Sequence, residues 1–591
     1  MSSPVICPAI LSLLQKVAAG SGSLQLAQKA HACTIILGLN RYPLICSSLI
    51  SAYSHFGCPA LSHIVFFQSP SRNIFLWNSL LAAFAKNGCY RHALAAFHYM
   101  RGVSDEPPDG YTLAIVAKAL AELSDSKNGS AVHSLVKRIG LCSDTVLANT
   151  LMLFYFKCDH PEAARQVFEE IPLKTVASWN ALIYEHGGKE WELVREMQSR
   201  GVKPNGITVS VLLPLCAGRD SAGIILGRQI HCYIVRHELR FDSELHVGCC
   251  LINLYCKSGN LIMGRRVFER ELRRNVFTWT AMIAGYAECG EFNDALRLFG
   301  LMNRVDGIIP NEVTLVTALP AVGSLAAIRS GKQIHGFAFR RYLNAETSVS
   351  NALIVMYSKC GSLGTARCIF DDGSWQKDAV SWSSVVSCYG IHGLGGEALS
   401  LFKKMCGLGI KVDCVTGVGV LSACSRAGLV KEGVDIFTWL VKDHGIFPSA
   451  EMCSCVVDIL GRDGRMEEAL QFIDSLPSEP KSCIWGALFS AAVSHCNEEI
   501  QHLAGEFLLR KEPENPSHYV GLSNFHASFG RWDVVEEVRR RMMGKGLRKS
   551  PGLSWIDLNG EVYSFCASDK SHLCSRWYSV NRIGIAGLIE H

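Results

Sequence analysis

Four short polar side chains follow tryptophans that recur in register, and four histidines keep the same beat. Asn78, Asn180, Thr280 and Ser383 stand directly after Trp77, Trp179, Trp279 and Trp382, whereas the fifth tryptophan, Trp485, is followed by Gly486. The tryptophans step by 102, 100, 103 and 103 residues. His31, His133, His231 and His335 step by 102, 98 and 104, and Tyr53, Tyr155, Tyr255 and Tyr357 by 102, 100 and 102. Histidines this far apart in an extended array cannot converge on one metal ion, so the function is read across repeated units and not from one pocket.

Local zinc chemistry is excluded as well. No two of the 25 cysteines are three apart, which removes the Cys-x-x-Cys pairing of structural zinc sites. Their odd number and scatter indicate a reducing compartment and buried thiols. The single His-x-Glu, His160 to Glu162, lies inside a repeat with no cysteine pair to join it.

The elements that must position the polar residues follow from the period. In the unit beginning near Val276, Trp279, Met282, Ile283 and Tyr286 fall at helical spacing, Cys289-Gly290 breaks the pattern, and Ala295, Leu298, Phe299 and Met302 form a second apolar stripe. This predicts a helix, a tight turn at Gly290 and a second helix. Neither helix can bury its stripe alone, so neighbouring pairs must stack. Three tryptophan units measure 22 residues from Ser79 to Met100, Ala281 to Met302 and Ser384 to Met405, but the unit from Ala181 to Met197 measures only 17. A shortened first helix or a loop is expected there. The recurring aromatic and histidine residues are expected to pack the core.

Composition agrees with a folded array: 591 residues, 49% apolar and 19% charged. The net charge of +5 is compatible with binding nucleic acid without requiring it. The longest stretch free of Lys, Arg, Asp and Glu, between Arg41 and Arg72, is interrupted by His55, Gly57, Pro59, His63 and Pro70 and reads as repeat core, not as a membrane span. The first 20 residues, with one Lys, no acid and an apolar run from Val5 to Leu14, are compatible with the remnant of an organelle-targeting segment but lack its expected Arg.

The motifs WNSLLAAFAKNG, WTAMIAGYAECGEFNDALRLF, SGKQIHGFAF, NALIVMYSKCGSLGTARCIF and VDILGRDGRMEEALQFI resemble pentatricopeptide repeats of the plant subclass that alternates standard, long and short repeats. The resemblance runs from roughly Leu11 to His572. It implies an all-α, right-handed superhelical solenoid of helix-turn-helix repeats that binds single-stranded organelle RNA, one base per repeat, on its concave face. By the family pattern the reading residues are the one after the Trp or its equivalent and the last residue of the repeat. In the standard repeats these are Asn78 with Asp109, Asn180 with Asn205, Thr280 with Asn311, and Ser383 with Asp413. The short repeats give Ser47 with Asn73, Asn149 with Thr175, Cys249 with Asn275, and Asn351 with Asp378. The long repeats give Ala114 with Asp144, Ser210 with Asp242, and Val316 with Glu346; an apolar first member cannot hydrogen-bond a base, so these are expected to act mainly as spacers. Asn with Asp then implies U, Asn with Asn a pyrimidine, Thr with Asn A, and Ser with Asp G. A last-position Asn or Asp before a helix is equally suited to capping it, and the two roles can coexist.

Beyond Lys481, IWGALFSAAVSHCNEE and HYVGLSNFHASFGRWDVVEEVRRRMMGKGLRKS resemble the extension motifs of organelle RNA-editing factors, tetratricopeptide-like helix pairs that grip proteins. PGLSWIDLNGEVYSF and SDKSH resemble the opening of the deaminase-like domain that closes many such proteins. That chemistry needs a His-x-Glu and a Cys-x-x-Cys, and neither occurs beyond Pro551. The expected organisation is a short amino-terminal segment (1–42), the repeats (43–481), the extension motifs (482–550), a domain start (551–572) and a divergent tail (573–591). The expected function is an RNA-binding factor without catalytic residues, metal or cofactor. It specifies C-to-U editing sites and recruits a deaminase or editing-complex protein in trans, in the mitochondrion or alternatively the chloroplast. RNA stabilisation, processing or splicing, and a protein-binding helical scaffold, are the alternatives.

Overall fold

The computed structural model describes residues 24–103, 106–185, 189–217, 221–237, 247–271, 274–476, 479–549, 553–558 and 561–566. The amino-terminal segment before Leu24, the SDKSH motif and the tail 573–591 lie outside them. The described residues hold 31 α-helices, followed by one two-stranded antiparallel sheet. They form two compact units, Met1–Ile309 and Pro310–His591.

In the first unit the first helices of successive pairs pack on one another: Pro43–His55, Ile74–Lys86, Gly110–Glu122, Thr145–Lys157, Val176–Glu185, Gly206–Cys216, Val247–Lys257 and Val276–Glu288. Second helices such as Pro59–Gln68 and Leu261–Arg270 lie between a first helix and the next. The second unit repeats the plan from Glu312–Ser324 to Ser482–Ser494. The turn at Gly290 forms as expected: its φ of 84° is the left-handed conformation that glycine adopts without a steric penalty.

The hundred-residue beat has a packing cause. Trp77, Trp179, Trp279 and Trp382 are buried, and each meets a phenylalanine of the preceding second helix: Phe66 at 4.4 Å, Phe168 at 4.6 Å, Phe268 at 4.8 Å and Phe370 at 5.0 Å between ring centroids. A cation before the last-position residue, Arg72, Lys174, Arg274 or Lys377, lies over the same phenylalanine. The histidines and tyrosines serve each other. Nδ1 of His31, His133, His231 and His335 lies 3.0, 2.8, 2.7 and 3.0 Å from the hydroxyl of Tyr53, Tyr155, Tyr255 and Tyr357. Burial pushes the pKa of His133, His231 and His335 below the ordinary value.

In the short unit at Trp179 the first helix is described over Val176–Glu185, and the second helix already begins at Glu190. Charges gather beside it, with Arg165 and Arg200 both paired to Glu169 and Glu196. Arg200 also lies over the Trp179 ring.

After the last helix, Trp532–Gly544, the strands Leu553–Leu558 and Glu561–Cys566 pair in the register Leu553↔Cys566 to Leu558↔Glu561. The helical reading did not assign these strands. Their signal was present in the sequence as Asn559-Gly560 between two alternating runs. Among the described residues no helix is long and apolar enough to cross a membrane.

Candidate nucleic-acid interface

The last-position residues begin the first helices, and they cap them. The side chains of Asn73, Asp109, Asn205, Asn275, Asn311, Asp378 and Asp413 each accept a hydrogen bond from the backbone N–H three residues on. Each cap satisfies one of the donors a helix start leaves unpaired. Thr175 does so weakly, with Ser178 N at 3.4 Å. Of the long-repeat residues Asp144 caps and Glu346 does not, and Asp242 lies outside the described residues.

The stack brings several first-position residues onto these caps. Asn78 Nδ2 donates to Asp109 Oδ1 and Oδ2 at 3.1 and 3.0 Å, although the two residues are 31 apart in sequence. Asn180 Nδ2 donates to Asn205 Oδ1 at 3.2 Å, and Asn351 Nδ2 to Asp378 Oδ1 at 3.3 Å. Capping and pairing therefore coexist on one side chain. Burial raises the Asp109 pKa, but hydrogen bonds from the Thr112 and Tyr111 backbone N–H groups and from the Asn78 amide outweigh it and leave the carboxyl below its usual range. Asp378 is lowered in the same way by Ser381 and Asn351 against its burial.

The remaining positions behave differently. Ser47 and Ser383 are buried, and neither hydrogen-bonds its assigned partner, Asn73 or Asp413, among the described residues. The Thr280 hydroxyl donates to the Val276 carbonyl at 2.7 Å, and Asn311 Oδ1 accepts from the backbone and hydroxyl of Thr314 at 3.0 and 2.8 Å. Asn149 Oδ1 is buried without a hydrogen-bond partner among the described residues. Burial drives the Cys249 thiol up to about 12, so it is neutral and apolar at the position where its neighbours carry amides.

The paired residues open into clefts. One of about 520 Å³ is lined by Ser47, Asn78, Asp109, Phe75, Tyr111 and Lys86, among others. Another, of about 660 Å³, is lined by Asn351, Asp378, Val380 and Lys359 together with Val316 and Glu346 of the preceding long repeat.

Sequence reasoning missed a second set of residues, three of which, Phe75, Tyr111 and Val380, line these clefts. Phe75, Tyr111, Val146, Ile207, Phe277, Val313, Val380 and Val415 each stand two residues after a last-position residue, and all are exposed despite their apolar side chains. Their signal was the constant offset from the cap, hidden because an apolar residue at a helix start reads as core. Lys86 and Lys359, in the last turns of their helices, add a positive charge at two clefts. Among the described residues no group of three or more His, Cys, Asp or Glu is placed to hold a metal ion.

Fold and site together define a helix-pair repeat protein that pairs polar side chains between successive first helices in three of its repeats. Pentatricopeptide repeat profiles match residues 75–103, 249–274, 380–410 and 451–479, a pentatricopeptide repeat family profile matches 274–321, and the E motif profile matches 495–557. A putative pentatricopeptide repeat-containing protein of Arabidopsis thaliana is 33% identical over 89% of this chain and 78% of its own length. A mitochondrial pentatricopeptide repeat-containing protein of the same plant is 34% identical over 92% of this chain and 98% of its own length. A chloroplastic one is 32% identical over 93% of this chain, which spans 63% of that relative. The chain belongs to the pentatricopeptide repeat proteins, in the subclass with alternating repeat lengths and an E motif. The crystal structure of a maize member shares the fold, with a TM-score of 0.50 at 16% identity over 92% of this chain and 79% of the maize one.

Proposed function

We propose that this protein is a sequence-specific single-stranded RNA-binding factor for organelle transcripts, that it specifies C-to-U editing sites, and that a deaminase is recruited in trans through residues 482–572. The observation that carries the reading is the recurring hydrogen-bonded pair of short polar side chains, Asn78 with Asp109, Asn180 with Asn205, and Asn351 with Asp378, the first and third of which line clefts. Exposed Phe75, Tyr111 and Phe277 supply faces on which bases stack, and Lys86 and Lys359 supply charge for phosphates.

Base reading at Ser47, Asn73, Asn149, Thr175, Thr280, Asn311, Ser383 and Asp413 belongs to the same proposal, as does the division into a reading part (43–481) and a recruiting part (482–572). One relative carries a mitochondrial name and another a chloroplastic one, which supports an organelle compartment. The mitochondrion is our choice between them.

Binding of the purified chain to single-stranded RNA, to duplex RNA and to peptides tests the class. Preference for single strands is expected, and its absence overturns the reading in favour of a protein scaffold. Comparing C-to-U conversion across organelle transcripts in plants with and without the protein tests the rest. Loss at one or a few sites is expected. Unchanged conversion with an altered transcript level or splicing pattern would move the function to RNA stabilisation or processing.

A further inference from the structure

We propose that Thr112 and Thr208 are specificity-determining positioning residues: each buried hydroxyl locks the amide of the reading asparagine one repeat earlier, Asn78 or Asn180, so that only its N–H end is left for a base. The inference rests on the RNA-reading function above and deepens it.

Both threonines are the third residue of a first helix and are fully buried. Thr112 Oγ1 lies 2.6 Å from Asn78 Oδ1 and 2.7 Å from Asp109 Oδ1, yet it has one proton to give. Asp109 Oδ1 already accepts the Thr112 backbone N–H at 2.7 Å and the Asn78 amide at 3.1 Å. No other donor reaches Asn78 Oδ1 among the described residues, so giving it the hydroxyl proton satisfies every group. Turning the amide over would set its oxygen against the carboxylate, two acceptors face to face.

Thr208 repeats the arrangement without a carboxylate. Its hydroxyl lies 2.7 Å from Asn180 Oδ1, and its backbone N–H donates to Asn205 Oδ1 at 3.0 Å. Two facing amides could flip together, and these two donors are what fix them.

The short repeats lack the lock. In the Asn351 and Asp378 pair the third helical residue is Ser381, whose hydroxyl donates to Asp378 Oδ1 at 2.8 Å and accepts the Asp378 N–H at 3.1 Å. Asn351 Oδ1 is left buried with no hydrogen-bond partner. At Asn149 the corresponding Ser178 hydroxyl turns to Thr175 at 3.2 Å, and Asn149 Oδ1 is likewise unpartnered. The same letters, Asn with Asp, thus occur in two states: the amide oxygen is held by a hydroxyl at Asn78 and is buried without a partner at Asn351.

The test is Thr112→Val in the full chain. Kd is measured for single-stranded RNAs that carry each of the four bases at the nucleotide assigned to Asn78. Val349 already occupies the equivalent place in Thr347–Lys359, so valine fits a helix there. We expect about a tenfold loss of base discrimination at that nucleotide, with discrimination at other nucleotides and thermal melting unchanged. Unchanged discrimination at that nucleotide in Thr112→Val overturns the inference. Asn78→Ala separates the two levels. If it abolishes discrimination while Thr112→Val preserves it, the lock is wrong and the reading stands. If the unaltered protein shows no base preference there, the reading itself falls and the lock with it. Should Thr112→Val not fold, Thr208→Val at the nucleotide assigned to Asn180 carries the same expectation.

Discussion

Trp279 and Trp485 hold corresponding places in the hundred-residue beat, yet they pack in opposite directions along the chain. Trp279 is buried, meets Phe268 of the preceding second helix edge-on, and donates its indole N–H to Asp306 at 2.9 Å. Trp485 is half-buried and stacks on Phe507 of its own second helix, with centroids 4.7 Å apart and planes 26° apart. Its indole nitrogen finds no hydrogen-bond acceptor among the described residues. The first tryptophan ties one repeat to the last; the second closes a pair on itself. The residue that follows changes with it, from Thr280 to Gly486, which has no side chain to offer. A conserved beat therefore does not imply a continuing task.

Removing the two rings should sharpen that contrast most. Trp279→Ala takes a core ring from between two repeats and should cost about 3–5 kcal/mol, read from the urea midpoint. Trp485→Ala should cost less, because its ring is only partly buried. Equal losses would mean that the direction of packing carries no energetic difference.

The next effect is on reading. Thr280→Asn should shift the preferred base at its nucleotide from A toward a pyrimidine, a change of about 1–3 kcal/mol in discrimination. Gly486→Asn should create no preference at any nucleotide, because the proposed reading part ends at 481. A new preference from the second variant would extend the reading surface into the E-type extension.

Helix starts give a smaller contrast. Asn275 caps Val276–Glu288 through two backbone N–H groups, so Asn275→Ala should cost about 1 kcal/mol. Lys481, at the start of Ser482–Ser494, makes no side-chain cap, and Lys481→Ala should stay within about 0.5 kcal/mol.

Acid should separate the regions most gently. His133, His231 and His335 are held below their ordinary 6.5 by burial, so the unfolded chain takes up protons first. Their stability is complete above that value and is lost as pH falls through it. Glu512, lowered to about 2 by hydrogen bonds from His518, Asn515 and Ser482, acts in a lower window. Its contribution is present above 4.5 and fades toward pH 2, and it is small because the side chain is largely exposed. Urea midpoints at pH 7, 5.5 and 4, followed by separate probes in each region, check the order: the repeats weaken first.

Much of this was legible because a repeat announces itself many times. The helix pairs, the turn at Gly290 and the packing role of the aromatic beat all follow from spacing, since burying a stripe every 3.6 residues leaves few alternatives. The exposed Phe75 and Tyr111 were missed because apolar character at a helix start suggests burial. The strands Leu553–Leu558 and Glu561–Cys566 were missed because alternation over six residues is a signal separate from the helical period that carries the rest of the chain.

The sequence by itself determined the period, the helix pairs, the family and the polar residues offered once per repeat. Only the tertiary structure decided that His31 serves Tyr53, that Asn78 meets Asp109, and that the Asn78 carbonyl is occupied while that of Asn351 is free. Periodicity fixes which face of a helix a residue occupies. Whether a hydroxyl reaches one acceptor or another is settled by tenths of an ångström between neighbouring helices, and residue spacing carries no record of that distance.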